Sequence, residues 1–232
     1  MMESRFRFGF VNGYDQKPKR RLFELLKSQG MQMNQQVTFL SDGGDTVRDL
    51  QLYLNPQAEH LLDWFHITMR ITVMNQMAKG LGSKDAELRS DALKELERIK
   101  WFLWHGNVFK ALQVIGDLDL DLDNGSLNEK QTKLLKTVRE FQTYIENNAS
   151  FIPNYSERWR YGETISTAFV ESTVNQVISK RMVKKQQMRW SRQGAHLLLQ
   201  VRTKVLDEEL RNTFQRWYSG FNLSDENLKQ AA

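Results

Sequence analysis

The 232-residue chain contains no cysteine. That excludes a disulfide-stapled fold, a thiolate zinc or iron–sulfur site, and a cysteine nucleophile. No apolar run approaches the ~20 residues of a membrane span, and the opening residues, with Glu3, Arg5 and Arg7, lack the apolar core of a signal peptide. A cytoplasmic, nucleoid-associated protein is the expectation. Proline occurs only at Pro18, Pro56 and Pro153, so each marks a boundary. The hydrophobic share of 40% is enough to bury a core, which excludes a disordered tail or a fibrous repeat. Charge of one sign is not scarce overall: 33 basic against 28 acidic residues leave +5.

That excess is concentrated. Residues 172–206 carry Lys180, Arg181, Lys184, Lys185, Arg189, Arg192, Arg202 and Lys204 and no acid, whereas the other 197 residues hold 25 basic and 28 acidic side chains. At about 100° per residue, Lys185 and Arg189 fall on the helix face of Glu171, Arg181 lies to one side and Lys180 opposite. Such a segment suits salt-sensitive contacts to phosphates, and it equally suits a solvated cationic face.

The periodicity predicts alternating strands and helices, then a helical block. Phe6, Phe8 and Phe10 alternate with Arg5 and Arg7 as in a strand with one buried face. Pro18 opens a helix that stops at Gly30. A strand over 37–41 runs into Asp42-Gly43-Gly44, a helix capped by Thr46 and Asp49 continues to Leu54, and 59–67 forms a third strand. Helices are predicted over 69–79, 84–105, 107–116 and 128–147, the last with a Ser126–Glu129 capping box and a stripe of Leu134, Val138, Phe141 and Ile145. A loop over 148–162 precedes long helices over 164–188 and 194–217. The segments divide as 1–67, a helical insertion 68–160, and 161–232. Strands separated by helices predict an α/β fold with parallel pairing, helix-dominated overall, whose chemistry lies at the strands' C-terminal ends.

Asp42 occupies such an end. Two carboxylates, Asp42 and Glu171, would suit Mg²⁺ or Mn²⁺ in phosphoryl transfer. By pattern alone, Asp42 reads as a turn residue and Glu171 as a solvated helical acid. Arg158-Trp159-Arg160-Tyr161 and Arg189-Trp190-Ser191-Arg192 fit stacking of unpaired bases, although packing of Trp159 and Trp190 into the core is the simpler reading. On a strand, His60 and His66 share a face and Asp63 points away, so these three make no metal site. The repeat from Asp117 to Gly125 misses the offsets of a calcium loop and reads as a solvated loop.

Three long stretches resemble one family. Val37-Thr-Phe-Leu-Ser-Asp-Gly-Gly-Asp45, Leu52-Tyr-Leu-Asn-Pro-Gln-Ala-Glu-His-Leu-Leu-Asp-Trp-Phe-His66 and Tyr161-Gly-Glu-Thr-Ile-Ser-Thr-Ala-Phe-Val-Glu-Ser-Thr-Val-Asn-Gln-Val-Ile-Ser-Lys-Arg-Met182 are similar to Kra-type bacterial insertion-sequence transposases. These are DDE enzymes related to the Mutator-like group. The resemblance spans about residues 8–205 and implies an RNase H-like core, here strands three to five, interrupted by a helical insertion. It implies Asp42 as the second and Glu171 as the third catalytic carboxylate, together binding two Mg²⁺ or Mn²⁺ ions. It aligns Asp63 and His66 with a Cys and a His of related enzymes, and the cationic run and aromatic–basic clusters supply Lys180, Arg181, Lys184, Lys185, Arg189, Arg192 and Trp159 as the expected DNA contacts. The family's first Asp lies upstream of the 6–11 strand, and Asp15, beyond that strand, does not replace it.

The chain is therefore expected to match the C-terminal portion of such an enzyme, inactive alone, with DNA ends and a homo-oligomer or full-length transposase as partners. The alternative is a non-catalytic DNA-binding or transposase-binding remnant that acts as a dominant-negative regulator. The missing neighbour of the 6–11 strand further predicts open sheet edges and a marginal, aggregation-prone product.

Overall fold

The computed structural model describes residues 6–123, 125, 127–179, 182, 189–218 and 220. It divides into two compact units, one of residues 32–169 and one of residues 1–31 with 170–232. Packing draws this division, whereas composition drew the three sequence segments.

The larger unit begins with a β-α-β element. Strand β1 (Thr38–Ser41) pairs in parallel with β2 (Glu59–Leu62), Ser41 opposite Leu62, and helix α2 (Asp45–Leu54) makes the crossover. This is the only sheet among the described residues, so the molecule is helix-dominated with a small α/β element. Gly44, not Thr46, caps α2.

The third strand is shorter than expected. Asp63 accepts a hydrogen bond from the Phe65 N–H and caps α3 (Trp64–Lys79), so Trp64, Phe65, His66 and Ile67 are helical. A carboxylate that satisfies a first-turn N–H outweighs the strand propensity of that aromatic run.

Helices α4 (Ala86–Trp104), α5 (Val108–Leu122) and α6 (Glu129–Asn147) follow. Each helix of this series packs on the next and α3 packs on α6, closing a four-helix bundle. Its core includes Ile67, Ile71 and Met74 of α3, Leu96, Ile99 and Leu103 of α4, and Ile115 and Leu118 of α5. The α6 stripe of Leu134, Val138, Phe141 and Ile145 is fully buried, as its spacing predicts.

The aspartate-rich run belongs mostly to α5 instead of a loop. Leu118 and Leu122, one turn apart, are buried, while Leu120 is exposed. Asp119 and Asp123, also one turn apart, both accept from Arg139 of α6. A helical spacing thus hides inside a period-two pattern. Asn128 with Gln131 forms the α6 capping box, and Ser126 lies outside the described residues. The region 148–162 is likewise not a plain loop: it contains a 3₁₀ turn (Ala149–Phe151) and α7 (Tyr155–Arg160), capped by Asn154.

The smaller unit contains α1 (Pro18–Ser28), α9 (Arg192–Leu206) and α10 (Leu210–Trp217). Helix α8 (Ala168–Val174) begins in the larger unit and runs into the smaller one. It passes into a π-helical turn (Asn175–Ser179), so the constant 100° step does not carry from Glu171 to later residues. The predicted 194–217 helix breaks at 207–209, where Glu208 has φ 58°. Asp207 there accepts from the Arg7 N–H at 3.0 Å and from its guanidinium at 2.7 Å.

Residues 6–11 form no strand. The Arg7 N–H goes to Asp207, the Gly9 carbonyl accepts from the Gln200 amide at 2.8 Å, and the Val11 N–H lies 3.4 Å from His196 Nδ1. A strand requires a ladder partner. Here side chains of α9 and the turn after it take the place of that partner.

Candidate functional site

The C-terminal end of the parallel pair gathers the chemistry of the larger unit. Because Ser41 lies opposite Leu62, the chain leaves β1 at Asp42 and β2 at Asp63 side by side, and the Asp63 N–H donates to the Ser41 carbonyl at 2.8 Å. The two aspartates have opposite environments.

Asp42 is exposed, and its only side-chain bond among the described residues is Oδ1 accepting from the Gly44 N–H at 3.0 Å. Most of its acceptor capacity is open to a cation. Gly43 next to it has φ 87°, and a Cβ there would come within 2.5 Å of the Asn148 side chain. The turn therefore requires glycine. Tyr144 of α6 donates from its hydroxyl to the Asp42 carbonyl at 3.1 Å and carries the Arg70 guanidinium 4.1 Å from its ring centre. Burial pushes the Tyr144 phenol up to about 12, so it remains a donor near neutral pH.

Asp63 is fully buried and its oxygens are spent. Oδ1 accepts from the Phe65 N–H at 3.1 Å and the Thr167 N–H at 2.9 Å. Oδ2 accepts from the Thr167 hydroxyl and meets His66 Nδ1 at 2.6 Å. The expectation that Asp63 points away from His66 is thus overturned, since both lie within the first turn of α3 instead of on a strand. A carboxylate with four partners and no exposure does not fit as a metal ligand. It is a clasp: it ties the end of β2 to Thr167, the residue immediately before α8, reinforced by the Trp64 N–H donating to the Ile165 carbonyl at 3.1 Å. Tyr155 of α7 adds a hydroxyl donated to the Leu62 carbonyl at 2.7 Å.

His60 belongs to neither aspartate. Its Nε2 lies 2.7 Å from Ser41 Oγ, its ring packs 4.7 Å from Phe151, and its Nδ1 is buried without a hydrogen-bond partner among the described residues. Burial, helped by the Arg48 guanidinium, pushes the imidazole down from 6.5. The folded chain therefore binds this proton less readily than the unfolded chain. Above about pH 6.5 the histidine contributes nothing to pH dependence; as pH falls below it, the unfolded state gains protons first and stability declines, levelling off below the lowered native pKa. Thermal melts between about pH 5 and pH 7.5 should show this decline in the native protein, with a flatter profile in His60→Gln. Identical profiles would refute the assignment.

Glu171 lies on α8, exposed and with no side-chain partner among the described residues, so its oxygens also fit a hard divalent cation. Asp42 and Glu171 belong to different compact units. No cluster of three or more His, Asp or Glu side chains suited to a metal occurs among the described residues.

Of the basic candidates, Arg189 is exposed and Arg192 is exposed at the start of α9. Lys180, Arg181, Lys184 and Lys185 lie outside the described residues. Trp159 is not packed into the core: it is 64% exposed, with Tyr161 at 77%. Trp190 is half-buried. Arg158, the first residue of the cluster that holds Trp159, is spent on Glu59 and on Glu163 at 2.7 Å.

Sequence reasoning missed Thr167, Tyr144 and the Ser41–His60 pair. Tyr144 lies three residues after Phe141, at the edge of the α6 stripe, and that spacing was its available signal. Comparison with protein-family models, with curated proteins and with solved structures finds no match.

Proposed function

We propose that this chain carries two carboxylates of a DDE-type DNA transposase: Asp42 and Glu171 hold divalent metal, and the cationic segment after Glu171 holds DNA. The observation that carries the reading is Asp42 itself, an exposed and largely unspent carboxylate one residue past β1, at the C-terminal end of a parallel pair. Its motif and that of Glu171 are the ones that resemble Kra-type insertion-sequence transposases. Mg²⁺ or Mn²⁺ bound there would activate an attacking oxygen and stabilise the leaving oxygen of a DNA phosphodiester. The chain's own contribution is to hold Asp42 in a glycine-dependent turn braced by Tyr144. Arg189 and Arg192, with Lys180, Arg181, Lys184 and Lys185, would neutralise backbone phosphates, and Trp159 offers an exposed ring for stacking. An RNase H-like core and a homo-oligomeric or transposase partner belong to the same reading.

DNA binding tests this. Affinity for duplex DNA should fall linearly on a logarithmic salt axis, and the Lys185→Ala/Arg189→Ala double variant should reduce that slope by about 2. An unchanged slope would remove the role assigned to this segment. Salt-dependent binding without any metal site would instead favour the non-catalytic DNA-binding reading.

A further inference from the structure

Among the described residues, alternate backbone groups of residues 6–11 are bonded and the others have no partner. The backbone groups of Arg7, Gly9 and Val11 are directed at Asp207, Gln200 and His196. Gly9 also sits so close to α9 that a Cβ would come within 2.9 Å of Leu199. In an extended segment alternate residues turn their N–H and C=O groups to opposite sides. The backbone groups of Phe6, Phe8 and Phe10, which alternate with these, have no hydrogen-bond partner among the described residues. Their side chains are apolar, Phe6 and Phe10 are 37% and 43% exposed, and the rings of Phe8 and Phe10 lie 6.1 Å apart. No proline interrupts this edge, and the cation beside it, the Arg21 guanidinium 5.6 Å from the centre of the Phe8 ring, is ion-paired with Asp15.

We propose that this edge pairs with the same edge of a second copy of the chain, as an antiparallel two-strand seam centred on Phe8. The pattern is its own complement. Phe-x-Phe-x-Phe reads the same in both directions, so a twofold axis at Phe8 sets Phe8 opposite Phe8 and Phe6 opposite Phe10, apolar on apolar throughout. Charge favours the same occupant. Arg7, the one charged side chain between the three phenylalanines, is ion-paired with Asp207, so two copies meet without opposed free cations. The seam supplies the ladder partner that residues 6–11 lack, and it stands independently of any role in DNA chemistry.

The absence of cysteine makes the register directly testable. Opposed residues of a hydrogen-bonded antiparallel pair have Cα atoms about 5.5 Å apart, within disulfide reach, whereas Phe6 lies about 14 Å from Phe6 of the other copy. Under mild oxidation Phe8→Cys should form a covalent dimer alone. Phe6→Cys and Phe10→Cys should crosslink when mixed, and Phe6→Cys should not crosslink with itself. Sedimentation should show a reversible dimer in the native chain, weakened roughly tenfold by Phe8→Lys, which opposes like charges at the axis. Helical circular dichroism of each variant confirms that the fold persists. A monomer at every concentration, a dimer unaffected by Phe8→Lys, or equal self-crosslinking of Phe6→Cys and Phe8→Cys overturns the proposal.

Discussion

Replacing Asp63 with alanine is expected to lower the unfolding free energy by about 3–5 kcal/mol, enough to consume much of the stability of an ordinary domain. The carboxylate is buried and accepts from the Phe65 N–H, the Thr167 N–H and the Thr167 hydroxyl while meeting His66 Nδ1 at 2.6 Å. Its removal strands these groups in the interior, and each buried donor left unpaired costs about 1–3 kcal/mol. Water entering the vacated space recovers part of this, which is why the expected total is below the simple sum.

Asp63→Asn should cost less, because Oδ1 still accepts from the two backbone N–H groups and only the Oδ2 contacts must rearrange. Thr167→Val, which loses the hydroxyl alone, should be milder still. Urea unfolding gives the three values. Hydrogen exchange gives their location: amides of 165–174 should lose protection in Thr167→Val while those of α4 and α5 keep theirs. If Asp63→Ala cost less than about 1 kcal/mol, the clasp would carry no weight in the fold.

The clasp shows where sequence reading succeeds and where it stops. Leu134, Val138, Phe141 and Ile145 were legible because a helix that buries one face must repeat that face every three to four residues. Asp42 was legible as a strand-end aspartate because Gly43 and Gly44 follow it, and only a sharp turn uses such a pair. The strand expected over 59–67 ended early for a reason that periodicity does not contain. Trp64, Phe65 and Ile67 suit a strand or a buried helix equally, and Asp63 decides between them by capping the helix and gripping a residue 104 positions away.

The same limit explains residues 6–11. Their alternation is real, but an alternating segment becomes a strand only with a neighbour, and here the backbone bonds go to α9 and Asp207. The helix face drawn through Glu171, Lys185 and Arg189 assumed an unbroken α-helix. The π-helical turn over Asn175–Ser179 interrupts that phase. Trp159 was misjudged because composition cannot tell which face of a six-residue helix is covered: Tyr155 takes the buried place and leaves Trp159 outside.

The other large effect concerns metal. If Asp42 and Glu171 act together, removing either should abolish most of the binding, and removing both should add little. Asp42→Asn is the appropriate change at the first position, since it keeps an oxygen to accept from the Gly44 N–H while losing the charge. Glu171 makes no side-chain hydrogen bond or ion pair among the described residues, so Glu171→Gln should leave stability unchanged. Each substitution should weaken Mn²⁺ binding about tenfold or more, as loss of one of two charged ligands implies, with both variants keeping the native melting profile.

Two carboxylates are fewer than the three used by the family that the motifs resemble, so a polypeptide of these 232 residues is expected to bind the ion without nicking DNA. Mg²⁺-dependent nicking of a DNA substrate, lost in Asp42→Asn, would overturn that expectation while supporting the metal site. The most direct measurement is Mn²⁺ titration of the native chain, Asp42→Asn, Glu171→Gln and the double variant. The account predicts similar losses in both single variants and no further loss in the double one; native-like binding in either single variant, or losses that simply add, would contradict it.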